Sequence, residues 1–197
     1  EEASKRELKH LHTSLDTLLL LARDDNSAVL KRVLMCMSTV YKDAFNHVVN
    51  GNGRLSREGK EFWKRLHKAK LECLGLSSSS NDGVMRQALK FSETIALVDT
   101  EWMVGAGTGK PEAAPQHPFI NFESLTHESH KHVDKLMALV NDPKCAGSKK
   151  IVVVNLLSKI AQVRPPYLRR IIAALTKVPR SLAKNERATA SVLRALK

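Results

Sequence analysis

The sequence predicts an all-α protein, a HEAT/ARM-like helical-repeat solenoid in which antiparallel helix pairs stack into a right-handed superhelix. One helix design recurs three times, beginning at Asn26, Asn81 and Gly147, each time after a leucine-rich stretch and a short polar turn. Hydrophobic residues make up 43% of the 197 residues but aromatic residues only 5%, a balance typical of helix-on-helix packing. A pair of this kind buries its apolar face against the next copy, which favours an extended array and a long binding surface.

Apolar residues spaced three and four apart predict the helices, and clusters of Gly, Pro, Ser and Asn separate them. Asn26 stands where an N-cap residue is expected, and the second helix of the next pair begins from Asn81-Asp82. The predicted helix pairs span about 7–50, 56–103, 119–163 and 165–197, with an irregular loop at 104–118. In the first helix of the second pair, the predicted interior residues are Phe62, Trp63, Leu66, Ala69, Leu71 and Leu74. We expect residues 1–197 to form a single domain that is a fragment of a longer array.

The elements of the later pairs follow from their breaks. Asp142-Pro143 ends the helix that follows Pro118, and another helix is predicted from about Ser148 to Val163. Arg164-Pro165-Pro166 then forces a break before a short helix that begins at Tyr167. A last amphipathic helix is predicted at 182–196.

The net charge of +12 is unevenly distributed along the chain. Residues 1–50 are neutral, residues 51–75 carry +4, and residues 164–197 hold nine basic residues against one acidic, or +8. A basic C-terminal third attracts nucleic acid or an acidic partner, and charge alone does not choose between them. An RNA-binding helical-repeat module is therefore one functional hypothesis.

The three cysteines are widely separated. Cys36 and Cys73 are assigned to apolar stripes, so we expect buried, reduced thiols and a reducing compartment, either cytosol or nucleus. No apolar run approaches the about 18 to 20 residues needed to span a bilayer, and the first residues do not resemble a secretory signal. No membrane association is expected.

Two motifs resemble sites of chemistry but fail on detail. Residues 105–110 resemble a phosphate-binding loop, yet Val104 and Pro111 occupy positions where that motif needs Gly and Ser or Thr, and a helix precedes it. His127, His130 and Asp134 share a helix face without the spacing of a zinc site, so an exposed polar face is the preferred interpretation. Since no nucleophile–base arrangement is present either, the sequence predicts no enzyme, cofactor or metal.

A basic stripe runs along the helix predicted after residue 56. Lys60, Lys64 and Lys68 share one face, whereas Phe62 and Trp63 lie on the apolar side. Nucleic-acid binding needs aromatic residues exposed beside the basic ones. The preferred interpretation is a solvated basic face.

A more informative pattern comes from superposing the second helix of each pair, which in solenoids of this kind lines the concave side. Lys31 falls beside Arg86. The next two rows contain Met35, Lys90 and Asn155, and then Ser38, Glu93 and Ser158. Partly polar rows on neighbouring helices indicate a continuous interaction strip, although ordinary solvent-facing residues would give the same pattern.

Several segments together resemble the N-terminal HEAT domain of the symplekin family, the scaffold of pre-mRNA 3′-end processing. The matching segments are Arg23-Asp-Asp-Asn26, Val40-Tyr-Lys42, Asn81-Asp-Gly-Val84, Ala88-Leu-Lys-Phe91, His117-Pro-Phe-Ile120, Ile160-Ala-Gln-Val-Arg-Pro165 and Ser181-Leu-Ala-Lys184. Each motif alone is weak, but their order and spacing cover nearly the whole chain.

The resemblance implies a non-catalytic nuclear scaffold whose partners are cleavage and polyadenylation factors. In that family the concave face binds and stimulates the phosphatase that removes phosphoserine marks from the C-terminal repeats of RNA polymerase II. The family's contact lysine falls on Lys90. Neighbouring residues added to the predicted protein-binding site are Glu93, Arg86, Asn81, Asp82 and Lys31. Met85 and Gln87 replace a basic residue and a histidine of the family pattern, so the periphery of the contact is expected to differ.

Overall fold

The computed structural model describes residues 2–50, 57–103 and 116–178, which form seven α-helices and no strand. The helices are α1 (Glu2–Leu21), α2 (Ser27–Asn50), α3 (Arg57–Gly75), α4 (Asp82–Val98), α5 (Phe122–Asn141), α6 (Gly147–Val163) and α7 (Pro165–Leu175). Short 3-10 turns follow α3 and α4. The predicted all-α helical-repeat class is therefore confirmed. None of the described helices is long and apolar enough to cross a membrane.

The chain divides into two compact units. The first contains α1 to α4 and the segment that leads to Phe122, and the second contains residues 99–103 together with most of α5, α6 and α7. Whether the whole chain is one domain stays a prediction. The predicted last helix at 182–196 and most of the predicted loop at 104–118 lie outside the described residues.

Two helix pairs build the first unit, α1 with α2 and α3 with α4. The second helices, α2 and α4, also pack against each other, and the ring of Tyr41 meets the edge of Phe91 at a centroid distance of 6.0 Å. Phe45 contacts Trp63 of α3 at 5.9 Å. These rings are at most 9% exposed, so this aromatic cluster forms the centre of the core.

The segment after residue 115 is held to the first unit by His117. One imidazole nitrogen, Nδ1, accepts hydrogen bonds from the backbone N–H groups of Phe119 and Ile120 at 3.4 and 3.2 Å. The other nitrogen, Nε2, therefore carries the proton and donates to the carbonyl of Val48 at 3.1 Å. The His117-Pro-Phe-Ile motif is thus a structural clamp that brings Phe122 onto the core.

The second unit is organised by α6 and α7, which pack together across a sharp break at Arg164. Helix α7 begins at Pro165, because proline at the first helical position sacrifices no hydrogen bond. Arg164 is buried, and its Nε donates to Thr100 Oγ1 at 3.1 Å. Tyr167 is also buried and meets the ring of His130 edge-on at 5.1 Å.

Two interior assignments made from sequence are wrong. Leu71 is 55% exposed, and Cys36 is exposed as well. In α3 the buried stripe passes through Leu66, Ala69 and Cys73, so Leu71 lies on the other side of the helix. The burial predicted for Cys73 is confirmed.

Candidate interaction surface

The start of α4 is built around Asn81. Its side-chain Oδ1 accepts hydrogen bonds from the backbone N–H groups of Gly83 at 3.0 Å and Val84 at 3.1 Å. These are two of the N–H groups that have no partner within a helix, so Asn81 is the N-cap of α4. The first predicted site residue therefore has a structural role that fixes where α4 begins.

Lys31 of α2 lies across this same turn. A Cβ atom added at Gly83 would be 3.0 Å from Lys31 Cδ and 3.7 Å from its Nζ. The absence of a side chain at Gly83 thus allows the lysine to cross α4 closely. Superposing the repeats places Lys31 beside Arg86. The observed neighbour of Lys31 is instead Gly83, one turn earlier on α4, because helical side chains point back towards the N-terminus of their helix.

The remaining predicted residues follow along α4. Arg86 pairs with Asp82 one turn earlier at 3.4 Å, and both side chains are about half exposed or more, at 49% and 65%. Lys90 is exposed one turn after Arg86, and Glu93 is half-buried beyond it. The six predicted residues therefore lie on α4, its cap and the adjoining side chain of α2. We call this set, Lys31, Asn81, Asp82, Arg86, Lys90 and Glu93, the α4 strip.

The apolar member of the predicted rows is accessible too. Met35, which the superposition aligns with Lys90, is 48% exposed on α2. Asn155 of α6 is exposed and belongs to the second unit. Helical periodicity alone predicts that Met35 is exposed, because it lies between the buried residues Leu34 and Met37 but not on their stripe.

The basic stripe on α3 matches its predicted orientation. Lys60, Lys64 and Lys68 are exposed, whereas Phe62 is 0% and Trp63 is 9% exposed. Stacking of bases on these two aromatic residues is therefore not available in this structure.

Lys70 was not singled out from sequence, and it is 2% exposed. It follows Leu66 by four residues, which places it on the buried face of α3. The spacing of Lys70 from Leu66 is the feature of the sequence from which its burial could have been predicted.

The candidate metal ligands of α5 serve other contacts. His130 packs against Tyr167, and burial is the main cause that lowers the pKa of its imidazole. Asp134 forms an ion pair with Arg170, while His127 is exposed. Within the described ranges, no group of three His, Cys, Asp or Glu side chains is arranged to hold a metal ion.

The basic C-terminal third is described only as far as residue 178. Of its four basic residues up to that point, Arg164 is buried against Thr100 and Arg170 pairs with Asp134. Arg169 and Lys177 are exposed.

Comparison with known proteins places these features in a family. The model of the family "Symplekin/PTA1 N-terminal" matches residues 26–197. The mRNA cleavage and polyadenylation specificity factor complex subunit pta1 of Schizosaccharomyces pombe (strain 972 / ATCC 24843) is 24% identical over 169 residues. That match covers 83% of this chain but 24% of the relative, so the chain spans about a quarter of that protein's length. Because the family model covers most of its residues, the chain belongs to the Symplekin/PTA1 N-terminal family.

Proposed function

We propose that this chain is a non-catalytic scaffold domain of the nuclear mRNA cleavage and polyadenylation machinery. Family membership supports this role, as does the similarity to a subunit of a cleavage and polyadenylation specificity factor complex. Paired helices that expose polar rows suit a scaffold, since they supply surface area rather than a closed pocket. Other factors of the same machinery are the expected partners.

The proposed specific activity is binding and stimulation of the phosphatase that acts on the C-terminal repeats of RNA polymerase II. The observation that carries this proposal is the exposure of Lys90 on α4, where the symplekin-family resemblance puts the contact lysine. Lys90 is followed by Glu93 and preceded by Arg86, so a partner meets charges of both signs within about two helical turns. Such a pattern favours one docking orientation over others.

Stimulation requires no catalytic group from this chain. A partner that is active in one of its conformations becomes more active when the scaffold binds that conformation more tightly than the others. A surface held by packed helices is suited to this because its shape changes little on binding. The α4 strip meets this condition, since Asn81 fixes the start of the helix and Lys31 is packed across Gly83.

The binding proposal is tested with the substitution Lys90→Ala in a quantitative pull-down with the purified phosphatase. We expect affinity to fall about tenfold or more if Lys90 is a central contact. The free energy of unfolding should change by no more than about 0.5 kcal/mol, as is typical of substitutions at exposed sites. Lys131→Ala is the matched control, because Lys131 is also exposed but lies on α5. Equal binding by wild type and Lys90→Ala would remove Lys90 from the site.

Stimulation is measured separately, by titrating the chain into a phosphatase assay with a phosphoserine repeat peptide. Wild type should raise the rate to a plateau. Lys90→Ala should reach the same plateau at higher concentration, since it weakens docking without altering the bound state. A saturating complex with no change in rate would support docking but contradict stimulation.

The alternative function, RNA binding through the basic C-terminal third, has less support among the described residues. Two of the four cations in 164–178 are engaged within the protein, as described above. This alternative predicts an RNA mobility shift at low salt whose affinity falls steeply as salt is added. Absence of a shift at low salt would eliminate it.

A further inference from the structure

A second surface is formed by α1 and α3, the first helices of the two pairs in the first unit. Two ion pairs join α1 and the turn that follows it to α3, Asp16 with Arg65 and Arg23 with Glu72, the latter at 3.7 Å. Both pairs link positions 49 residues apart in sequence. Helices α1 and α3 therefore run side by side in a defined register.

Two leucines are exposed on this surface. Leu20 is 75% exposed and lies on α1 between the two residues that pair with α3, four after Asp16 and three before Arg23. Leu71 of α3 is 55% exposed. Single exposed leucines are ordinary, but these two occur at the same end of neighbouring helices.

The lysine stripe of α3 leads directly to the leucines. Lys60, Lys64 and Lys68 are spaced about 6 Å apart along the helix, and Leu71 continues the same face one turn later. The register of the ion pairs puts Leu20 level with Ala69, the residue after Lys68, so the lysine stripe passes the end of α1 that carries Leu20. We call Leu20, Lys60, Lys64, Lys68 and Leu71 the outer patch.

Charge on the outer patch is incompletely balanced. Lys64 donates to Glu61 at 2.9 Å, and Lys60 interacts electrostatically with the same carboxylate. One glutamate therefore serves two lysines. Lys68 forms no ion pair within the ranges that the structure describes. The lysines of the outer patch therefore carry a surplus of positive charge next to its two exposed leucines.

We propose that the outer patch is a docking site for an acidic amphipathic helix of a partner protein. Carboxylates at every fourth position of such a helix match the spacing of the lysines, because both helices rise by about 1.5 Å per residue. Apolar residues one turn further along meet Leu20 and Leu71. RNA would match the lysines but not the leucines, and the aromatic rings that would stack on bases are buried.

The test uses the full chain and a labelled synthetic helix of about 18 residues, read by fluorescence anisotropy. The peptide has Glu at every fourth position of one face, Leu at the end of that face, and Ala and Gln elsewhere. Its reversed-sequence counterpart covers the opposite helix direction. One of the two should bind saturably, with affinity that falls as salt increases.

Substitutions on the patch separate its two components. Lys60→Glu with Lys68→Glu should weaken binding about tenfold or more, and Leu20→Ser with Leu71→Ser should do the same with less salt dependence. All four side chains are exposed, so the variants should fold.

The matched apolar control is Leu168→Ser with Ile172→Ser on α7, whose side chains are 42% and 51% exposed. It should leave affinity unchanged, as should Lys90→Ala, since the outer patch is independent of the α4 strip.

Three outcomes would overturn the proposal. One is that neither peptide saturates at low salt. Another is that the α7 control weakens binding as much as the outer-patch leucine variant. The third is that a short single-stranded RNA binds more tightly than either peptide and loses affinity with the lysine variant but not with the leucine variant.

Discussion

The cap of α4 allows the structural and the binding roles of one residue to be separated. Replacing Asn81 with Ala removes the oxygen that accepts from Gly83 N and Val84 N at 3.0 and 3.1 Å. Loss of an N-cap side chain costs about 1 kcal/mol, within a range of about 0.5 to 2. Two accepted bonds place Asn81→Ala in the upper half of that range. For a chain of this size, about 1 kcal/mol corresponds to a shift of about 2–4 °C in Tm.

The assay is urea and thermal unfolding followed by far-UV circular dichroism. Asn81→Asp serves as the conservative variant, because aspartate caps a helix as well as asparagine does. It should therefore retain nearly wild-type stability. Asn26→Ala is the matched control in α2, where Asn26 Oδ1 accepts from Ala28 N at 2.8 Å. Because only one accepted bond is lost, it should cost less than Asn81→Ala, in the lower half of the same range.

Two results would refute this reasoning. A loss below about 0.3 kcal/mol for Asn81→Ala would mean that water replaces the cap without cost. A loss above about 3 kcal/mol would mean that the residue supports more than the first turn of α4. If Asn81→Asp keeps stability but loses phosphatase binding, Asn81 is also a direct contact.

Three further predictions concern side chains whose degree of burial differs. Thr100→Val removes the acceptor for Arg164 Nε and should destabilise the chain by about 1–3 kcal/mol in urea unfolding, whereas no loss would mean that water can replace it. In native protein a maleimide reagent should label Cys36 and spare Cys73, whose pKa burial raises to about 12; equal labelling rates would contradict the burial. Burial is the largest cause that lowers the pKa of His12 below 6.5, so the unfolded chain binds this proton more readily and stability should fall as pH decreases below 6.5. His12→Gln should reduce that pH dependence, and an unchanged slope would assign it to other groups.

The helices themselves were largely predictable from sequence. Helix α4 begins at Asp82, where its start was predicted at Asn81-Asp82, and α6 begins at Gly147, one residue before the predicted start. The break at Arg164 was also predicted, since two consecutive prolines cannot continue a helix. These features depend on neighbours in the chain, so local chemistry is sufficient to find them.

Contacts between helices were less accessible. Leu71 was placed in the interior because it is a leucine near an apolar stripe, although its helical spacing puts it on the face of Lys60, Lys64 and Lys68, and it is exposed. The contact of Lys31 with Gly83 depends on how closely α2 and α4 approach, which no periodicity reports. His117 was noted as part of a motif, but its hydrogen bond to Val48 joins residues 69 positions apart.

The crossing of Lys31 over Gly83 has a consequence for the energetics of binding. A lysine on an open surface samples many rotamers and loses up to about 2 kcal/mol of side-chain entropy when a partner immobilises it. Lys31 is half-buried, and its stem is already confined by α4 in the free protein, so much of that ordering precedes the encounter. A Cβ at Gly83 would stand 3.0 Å from Lys31 Cδ, so Gly83→Ala would displace the lysine stem from this crossing and expose it to solvent, where it samples more rotamers. The smallest residue of α4 therefore determines how much disorder a partner must remove on binding.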